Sequence, residues 1–162
     1  MKAISLTEPW AQLVALGAKR VETRSWATAY RGPLAIHAAK GFPGWAKDLC
    51  VSTVFLEALG WPRPNGVITQ SWLDETNDRI KSLPRGVVLA TCRLVECVRT
   101  EKMTFLSAEE LAFGDYSPGR WAWILEDITV LPEPVPAKGA LGLWEWAVQP
   151  SNSGHAQSGS HT

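Results

Sequence analysis

The stretch Leu16-Gly-Ala-Lys-Arg-Val-Glu-Thr-Arg-Ser-Trp26 decides how this chain is read. Gly17 stands where a helix should stop, because glycine takes the left-handed conformation just past a helix end at no steric cost. A strand, Val21–Arg24, is expected next. Successive strand side chains point to opposite faces. Glu22 and Arg24 therefore share one face, and Val21 and Thr23 the other. Two charges on one strand face, with Lys19 at the entrance, suit a charged site on a rigid element better than a core.

Working outward, Lys2–Leu6 reads as a short strand. Thr7 is a candidate N-cap for a helix from about Glu8 to Leu16, with Pro9 in its first turn. Leu34–Ala38 is strand-like, and Trp45–Leu59 reads as one amphipathic helix closed by Gly60 and Pro62. Residues 61–85 carry loop signals and then a polar helical stretch, Ile68–Lys81. They read as an insertion. Val87–Cys97 is rich in apolar and β-branched residues and should be a long strand. Ser107-Ala-Glu-Glu110 has the spacing of a capping box, with Leu106 and Leu111 at the staple positions, so a short helix is expected over 108–113. Arg120–Glu126, Ile128–Leu131 and Leu143–Val148 read as further strands. The alternating prolines of 132–136 suit a sheet edge or a linker. The polar residues 150–162 read as a disordered tail after a domain spanning 1–149. With about six or seven strands, three or four helices and no regular βαβ alternation, the class is α+β with a small barrel.

Composition narrows the function. The 162 residues suffice for one domain, carry no net charge and include nine Trp. Neutrality excludes a global basic field. The charge is nonetheless uneven. Residues 1–40 hold six basic groups (Lys2, Lys19, Arg20, Arg24, Arg31, Lys40) against Glu8 and Glu22, whereas residues 101–133 hold Lys102 and Arg120 against seven acids. Either a local anion-binding face exists or the two segments lie together and neutralise each other. Cys50, Cys92 and Cys97 have no metal or redox spacing and sit in apolar stretches, which points to buried thiols and a reducing, cytoplasmic setting. No secretory h-region and no 18-residue apolar run are present. A monomer without membrane attachment is expected.

Several groups could carry chemistry. A Lys beside a carboxylate can act as base or nucleophile once desolvated, and Arg clamps phosphate in a fork. Lys19, Glu22 and Arg24, with Arg31, form the first candidate cluster, unless they make only a surface ladder. His37 is the one His before the tail. It is either a site residue or a hydrogen-bonded core residue, and with no second ligand nearby it does not suggest a metal. Most of the tryptophans should be core, with Trp26 exposed beside the charged segment as a base-stacking surface. In Gly114–Trp121, Asp115 could orient a basic group, Tyr116 could stack and Arg120 could meet phosphate. Asp115 and Ser117 could equally be turn caps. No nucleotide-cradling loop, dinucleotide fingerprint, nucleophile elbow or cofactor motif is present.

These pieces together resemble the ASCH family (activating signal cointegrator homology) of the PUA-like superfamily. The resemblance rests on Ser5–Ala11, on the G-x-K-x-x-E-x-R element Gly17–Arg24, on Tyr30-Arg31-Gly32, on Ile36–Lys40, on Gly114–Trp123, and on Pro134–Gly139 leading to Leu143-Trp144. It implies a PUA-like β-barrel with flanking helices. It also implies a basic cleft at the motif strand that takes single-stranded RNA or a nucleotide-like ligand, lined by Lys19, Glu22 and Arg24. One bacterial branch is similar to an amidohydrolase of acetylated cytidine, in which the motif Lys is catalytic beside a Thr and a Glu. Lys19 matches that Lys, Glu22 stands where that branch has Thr, and Glu109 or Glu110 lies nearest the other Glu. Further members are ribonucleases. The resemblance thus leaves a binder, with Trp26, Arg31, His37, Asp115, Tyr116 and Arg120 as additional ligand contacts, or a hydrolase using Lys19 and Glu22. A protein-interaction domain presenting Trp26 and residues 61–85 is a third possibility.

Overall fold

The computed structural model describes residues 1–147; the expected tail, 150–162, lies outside them. Six strands, β1 (Lys2–Leu6), β2 (Val21–Arg24), β3 (Gly32–Ala38), β4 (Val87–Arg99), β5 (Trp121–Pro136) and β6 (Leu143–Glu145), form one curled half-barrel sheet. Their order is β2-β5-β4-β3-β1-β6. Only β1 and β3 run parallel; the other neighbours are antiparallel. Five helices accompany the sheet: α1 (Trp10–Ala15), α2 (Gly44–Leu49), α3 (Thr53–Leu59), α4 (Gln70–Ser82) and α5 (Ala108–Phe113). The fold is α+β with a small barrel-like sheet.

Gly17 ends α1 as the sequence suggests. Its φ is 77°. The Gly17 N–H donates to the Val14 carbonyl and the Ala18 N–H to the Leu13 carbonyl, the paired bonds of a Schellman stop. The start of α1 differs from expectation. The Thr7 side chain does not cap it. The Thr7 carbonyl accepts from Trp10 and Ala11 instead, and the helix begins at Trp10.

Three other elements depart from the sequence reading. The single helix expected over 45–59 is broken into α2 and α3. Ser52 Oγ donates to the Leu49 carbonyl at 2.8 Å, and this local bond competes with the helix ladder in a stretch already rich in β-branched residues. The two strands expected on either side of Asp127 are one continuous β5. Asp127 has φ of 52°, and the β4–β5 register shifts beside it between Thr91 and Arg93. The local break is therefore a bulge inside the ladder and not a turn. Its prolines fall where β2 no longer pairs with it, because β2 reaches only to Ile124. Finally, the capping box is half formed. Ser107 Oγ accepts from the Glu110 N–H at 3.1 Å, but the Glu110 carboxylate turns to the backbone of Arg20. Leu111, at the staple position, is exposed.

Two apolar clusters fix the layers. Ile4, Leu6, Val14, Leu34, Ile36, Leu94, Trp123 and Leu125 pack α1 onto the sheet. Leu13, Phe55, Leu59, Ile80, Leu83 and Phe113 join α1 to α3, α4 and α5. Helix α1 contributes to both, so it is the wedge between sheet and helices. Trp123 and Trp146 are the buried tryptophans among the described residues, and Trp10, Trp26, Trp61, Trp121 and Trp144 are half-buried and pack against the apolar clusters. Most of the nine therefore belong to the core or its edge, as expected, and the rings at the edge keep a polar tip for a hydrogen bond.

Candidate functional site

The pairing of β2 with β5 sets Glu22 opposite Trp123 and Arg24 opposite Trp121. It thereby brings the basic N-terminal segment against the acidic 101–133 segment. Between them and the end of β1 opens a cleft of about 530 Å3. Strand β2 supplies Glu22, Thr23 and Arg24 to it, the end of β1 supplies Ser5, Leu6 and Thr7, and the α5–β5 loop supplies Gly114, Asp115 and Arg120. Three indoles line it: Trp10 from α1, Trp45 from α2, and Trp26 just past β2.

Lys19 lies behind this cleft and not on its surface. It is fully buried. Its ammonium donates to the carbonyls of Val21 and Phe113 and pairs with Glu22 Oε2 at 3.3 Å. An ammonium has three donors, and all three are engaged. Glu22 is the member that reaches the cleft. Its carboxylate is held from both ends, by Lys19 at Oε2 and by Arg24 Nε at 3.0 Å from Oε1. Arg24 also donates to the Ser5 carbonyl at 3.0 Å, which ties β2 to β1 across the floor.

The other wall is anchored by backbone. The Phe113 carbonyl at the end of α5 accepts from Lys19 Nζ at 3.2 Å and from Trp10 Nε1 at 2.8 Å. Thr23, on the inward face of β2, accepts the Asp115 N–H at 2.9 Å. Gly114 is tight between these groups: a Cβ there would meet Tyr116 Cε2 at 2.9 Å and Thr23 Cγ2 at 3.1 Å. Asp115 accepts from the Ser117 hydroxyl and N–H and pairs with Arg120 at 3.3 Å. Those Ser117 bonds, together with the Arg120 charge, hold the Asp115 carboxyl below its usual range. The charged side chains lining the cleft are thus Arg24 and Arg120 against Glu22 and Asp115. The lining is balanced rather than basic.

Two groups are trapped beneath it. Burial raises the Glu110 carboxyl, although the Arg20 N–H and the Lys19 charge oppose the shift. Burial, with Glu110 and Glu22 close by, also raises the Tyr116 phenol, so it stays protonated. One Glu110 oxygen and the Tyr116 hydroxyl are buried without a hydrogen-bond partner.

The sequence candidates therefore divide. Glu22, Arg24, Trp26, Asp115 and Arg120 meet at the cleft, with Lys19 as support from behind. Tyr116 turns inward beneath Gly114. Trp26 is half-buried, its ring edge-on to Trp123 at 4.7 Å between centroids. Arg31 is elsewhere, paired with Glu96 at 2.7 Å on the surface. His37 lines a different concavity. Trp45 was missed: it is 61% exposed and tilts at 47° against Trp10, with 5.7 Å between ring centroids. An aromatic just past the Gly41–Gly44 break is its only sequence signal. Ser5 was missed as well, because its contribution to the floor is a carbonyl. Among the described residues no three His, Cys, Asp or Glu side chains gather as a metal would need, and no helix is long and apolar enough to cross a membrane.

A family model described as the ASCH domain matches residues 4–134, most of the chain. No curated protein matches it.

Proposed function

Because the chain belongs to the ASCH domain family, we propose that it binds single-stranded RNA or a nucleotide-like ligand, with a base in the cleft beside β2. The observation that carries this reading is the pairing of an indole-lined cleft with a fixed carboxylate–guanidinium couple. Trp45, Trp26 and Trp10 offer π-faces. Base–aromatic stacking contributes roughly 1–3 kcal/mol per base. Glu22, an acceptor only while ionised, suits a base N–H or amino group, and the free donors of Arg24 suit a carbonyl or phosphate oxygen. Because Lys19 and Arg24 hold Glu22 in place, little side-chain entropy would be lost on binding. Three buried, unpaired cysteines fit the cytoplasmic setting expected from sequence.

Hydrolysis by Lys19 and Glu22 draws less support. A nucleophile or base needs a free lone pair facing its substrate. Lys19 spends its three donors on Val21, Phe113 and Glu22 and has no exposed surface.

The test is fluorescence anisotropy with a labelled RNA decamer at low salt. Trp45→Ala should weaken binding by about tenfold, within the lower half of the stacking range, and Arg24→Ala, which removes donors to the ligand, should weaken it by a similar factor. No binding by the native protein, or native affinity in both variants, sinks the proposal.

A further inference from the structure

Ser5 lines two concavities. One is the cleft; the other, on the far side of its side chain, is a groove of about 840 Å3. The charged side chains of this groove are Lys40, Arg85 and Lys138, and no acid lines it. All three cations are exposed. None has a carboxylate within ion-pair distance among the described residues, whereas Arg24 and Arg120 in the cleft are both paired. Of the two concavities, the groove therefore carries the uncompensated positive charge.

The groove is built on rigid backbone. Lys40 follows β3, Arg85 precedes β4 and Lys138 follows β5. The Gly86 N–H donates to the Ala38 carbonyl at 2.8 Å, and the Ala137 N–H to the Gly86 carbonyl at 3.1 Å, so the three segments are laced together. Beneath them His37 is 2% exposed. Its Nε2 is 3.0 Å from the Ala137 carbonyl and must be the protonated nitrogen; Nδ1 then accepts from the Ser5 hydroxyl at 3.0 Å. Gly139 presses onto this pair: a Cβ there would stand 2.5 Å from His37 Cε1 and 2.7 Å from Ser5 Oγ. The Ser5 hydroxyl also lies 3.2 Å from Trp144 Nε1 and 3.3 Å from the Ala140 carbonyl. The floor is thus satisfied within the protein, and it clamps the segment that carries Lys138. What the groove offers a ligand is three free positive charges carried on three laced segments.

We propose that the groove is a phosphate track. The backbone of a single-stranded RNA whose base sits in the cleft passes over Ser5 and lays successive phosphates against Lys40, Arg85 and Lys138. This rests on the cleft reading and sharpens it: the ligand is a strand of several nucleotides, not a free nucleoside.

The experiment measures anisotropy of a labelled RNA decamer over a salt series with four proteins. These are the native chain, Trp45→Ala for the cleft, and K40Q/K138Q and K40Q/R85Q/K138Q for the groove. The double variant is included because Arg85, unlike Lys40 and Lys138, also acts electrostatically on buried Glu8; thermal melts check that each variant is folded. Each lost single-strand phosphate contact lowers the slope of log K against log salt by about 0.7. The double variant should then bind at least about tenfold more weakly at low salt, with a slope shallower by about 1.4. A DNA decamer of the same sequence should lose affinity in the same proportion, because the contacts are to phosphate. If the groove variants keep native affinity and slope while Trp45→Ala binds weakly, the track is wrong and the cleft stands. If the groove variants weaken and Trp45→Ala does not, the cleft reading fails and the path drawn from it fails too. If the native chain binds no decamer, both are overturned.

Discussion

Lys19 and Glu8 are both fully buried, and their surroundings give them opposite consequences. Lys19 is matched by two carbonyls and Glu22. Lys19→Met takes a charged donor from the Val21 and Phe113 carbonyls and leaves Glu22 to Arg24 alone. Hydrogen bonds to a charged group contribute about 1.5–3 kcal/mol, so the variant should lose about that much stability in urea melts; a loss below about 1 kcal/mol would show that the buried ammonium is dispensable. Glu8 is poorly matched. One oxygen accepts from the Gln12 N–H at 3.0 Å, and the other has no partner. Burial pushes its carboxyl up to about 7, against the pull of the Gln12 bond and the Arg85 charge. The folded state therefore holds a proton that the unfolded chain releases near 4.5. Stability should be highest at low pH within this window and fall as pH rises from about 4.5 to 7, by about 3 kcal/mol from this group. Glu8→Gln keeps an acceptor for Gln12 and carries no charge. Its melts at pH 5 and pH 8 should differ less than those of the native protein, with the gain at pH 8; an unchanged difference would dismiss this account. The strand period was enough to put Glu22 and Arg24 on one face. It could not orient Lys19, which precedes the strand and is captured by the carbonyl of Phe113, 94 positions away. Arg31 and His37 lie outside the cleft for a related reason: nearness in sequence to a motif says nothing about which edge of a curled sheet a residue reaches.

At the scale of elements, the cleft depends on how the α5–β5 loop is fastened to β2. The fastening is one side chain, Thr23, whose hydroxyl accepts the Asp115 N–H. Thr23→Val keeps the shape and removes the acceptor. A neutral hydrogen bond contributes about 1 kcal/mol, and a buried donor left unpaired costs about 1–3 kcal/mol. The Asp115 amide should exchange faster with solvent in this variant, and RNA decamer binding should weaken. An Asp115 amide that exchanges at the native rate would show that the loop is held by other contacts. The helix α5 was legible because Ser107 has a purely local partner, the Glu110 N–H. The Glu110 carboxylate was not, because the Arg20 amide, an unpaired donor beyond α1, competes with the N-cap for it. The split between α2 and α3 and the bulge at Asp127 were illegible for the same class of reason: a short hydroxyl bond and a register shift leave no periodic trace.

For the whole molecule, the sheet order moves β2 from second in sequence to an outer edge against β5. That one crossover joins residues 19–26 to residues 113–123 and so creates the cleft. The barrel class could be read from strand number and spacing, but this adjacency could not, since edge position is a long-range choice. Cys50, Cys92 and Cys97 lie inside the resulting layers and are free. Burial pushes the Cys50 and Cys92 thiols up to about 12, and the thiolate is the reactive form. A thiol reagent should label none of the three in the native state, and labelling should rise with urea in step with global unfolding; labelling of Cys50 at low urea would reveal a local opening between the helices and the sheet. The tilted Trp10–Trp45 pair has a further consequence. Two indoles held 5.7 Å apart at 47° are coupled chromophores, and Trp45 stands at the mouth of the cleft. Any ligand that turns its ring changes the coupling, so the near-ultraviolet circular dichroism of the unlabelled protein is itself a readout of occupancy.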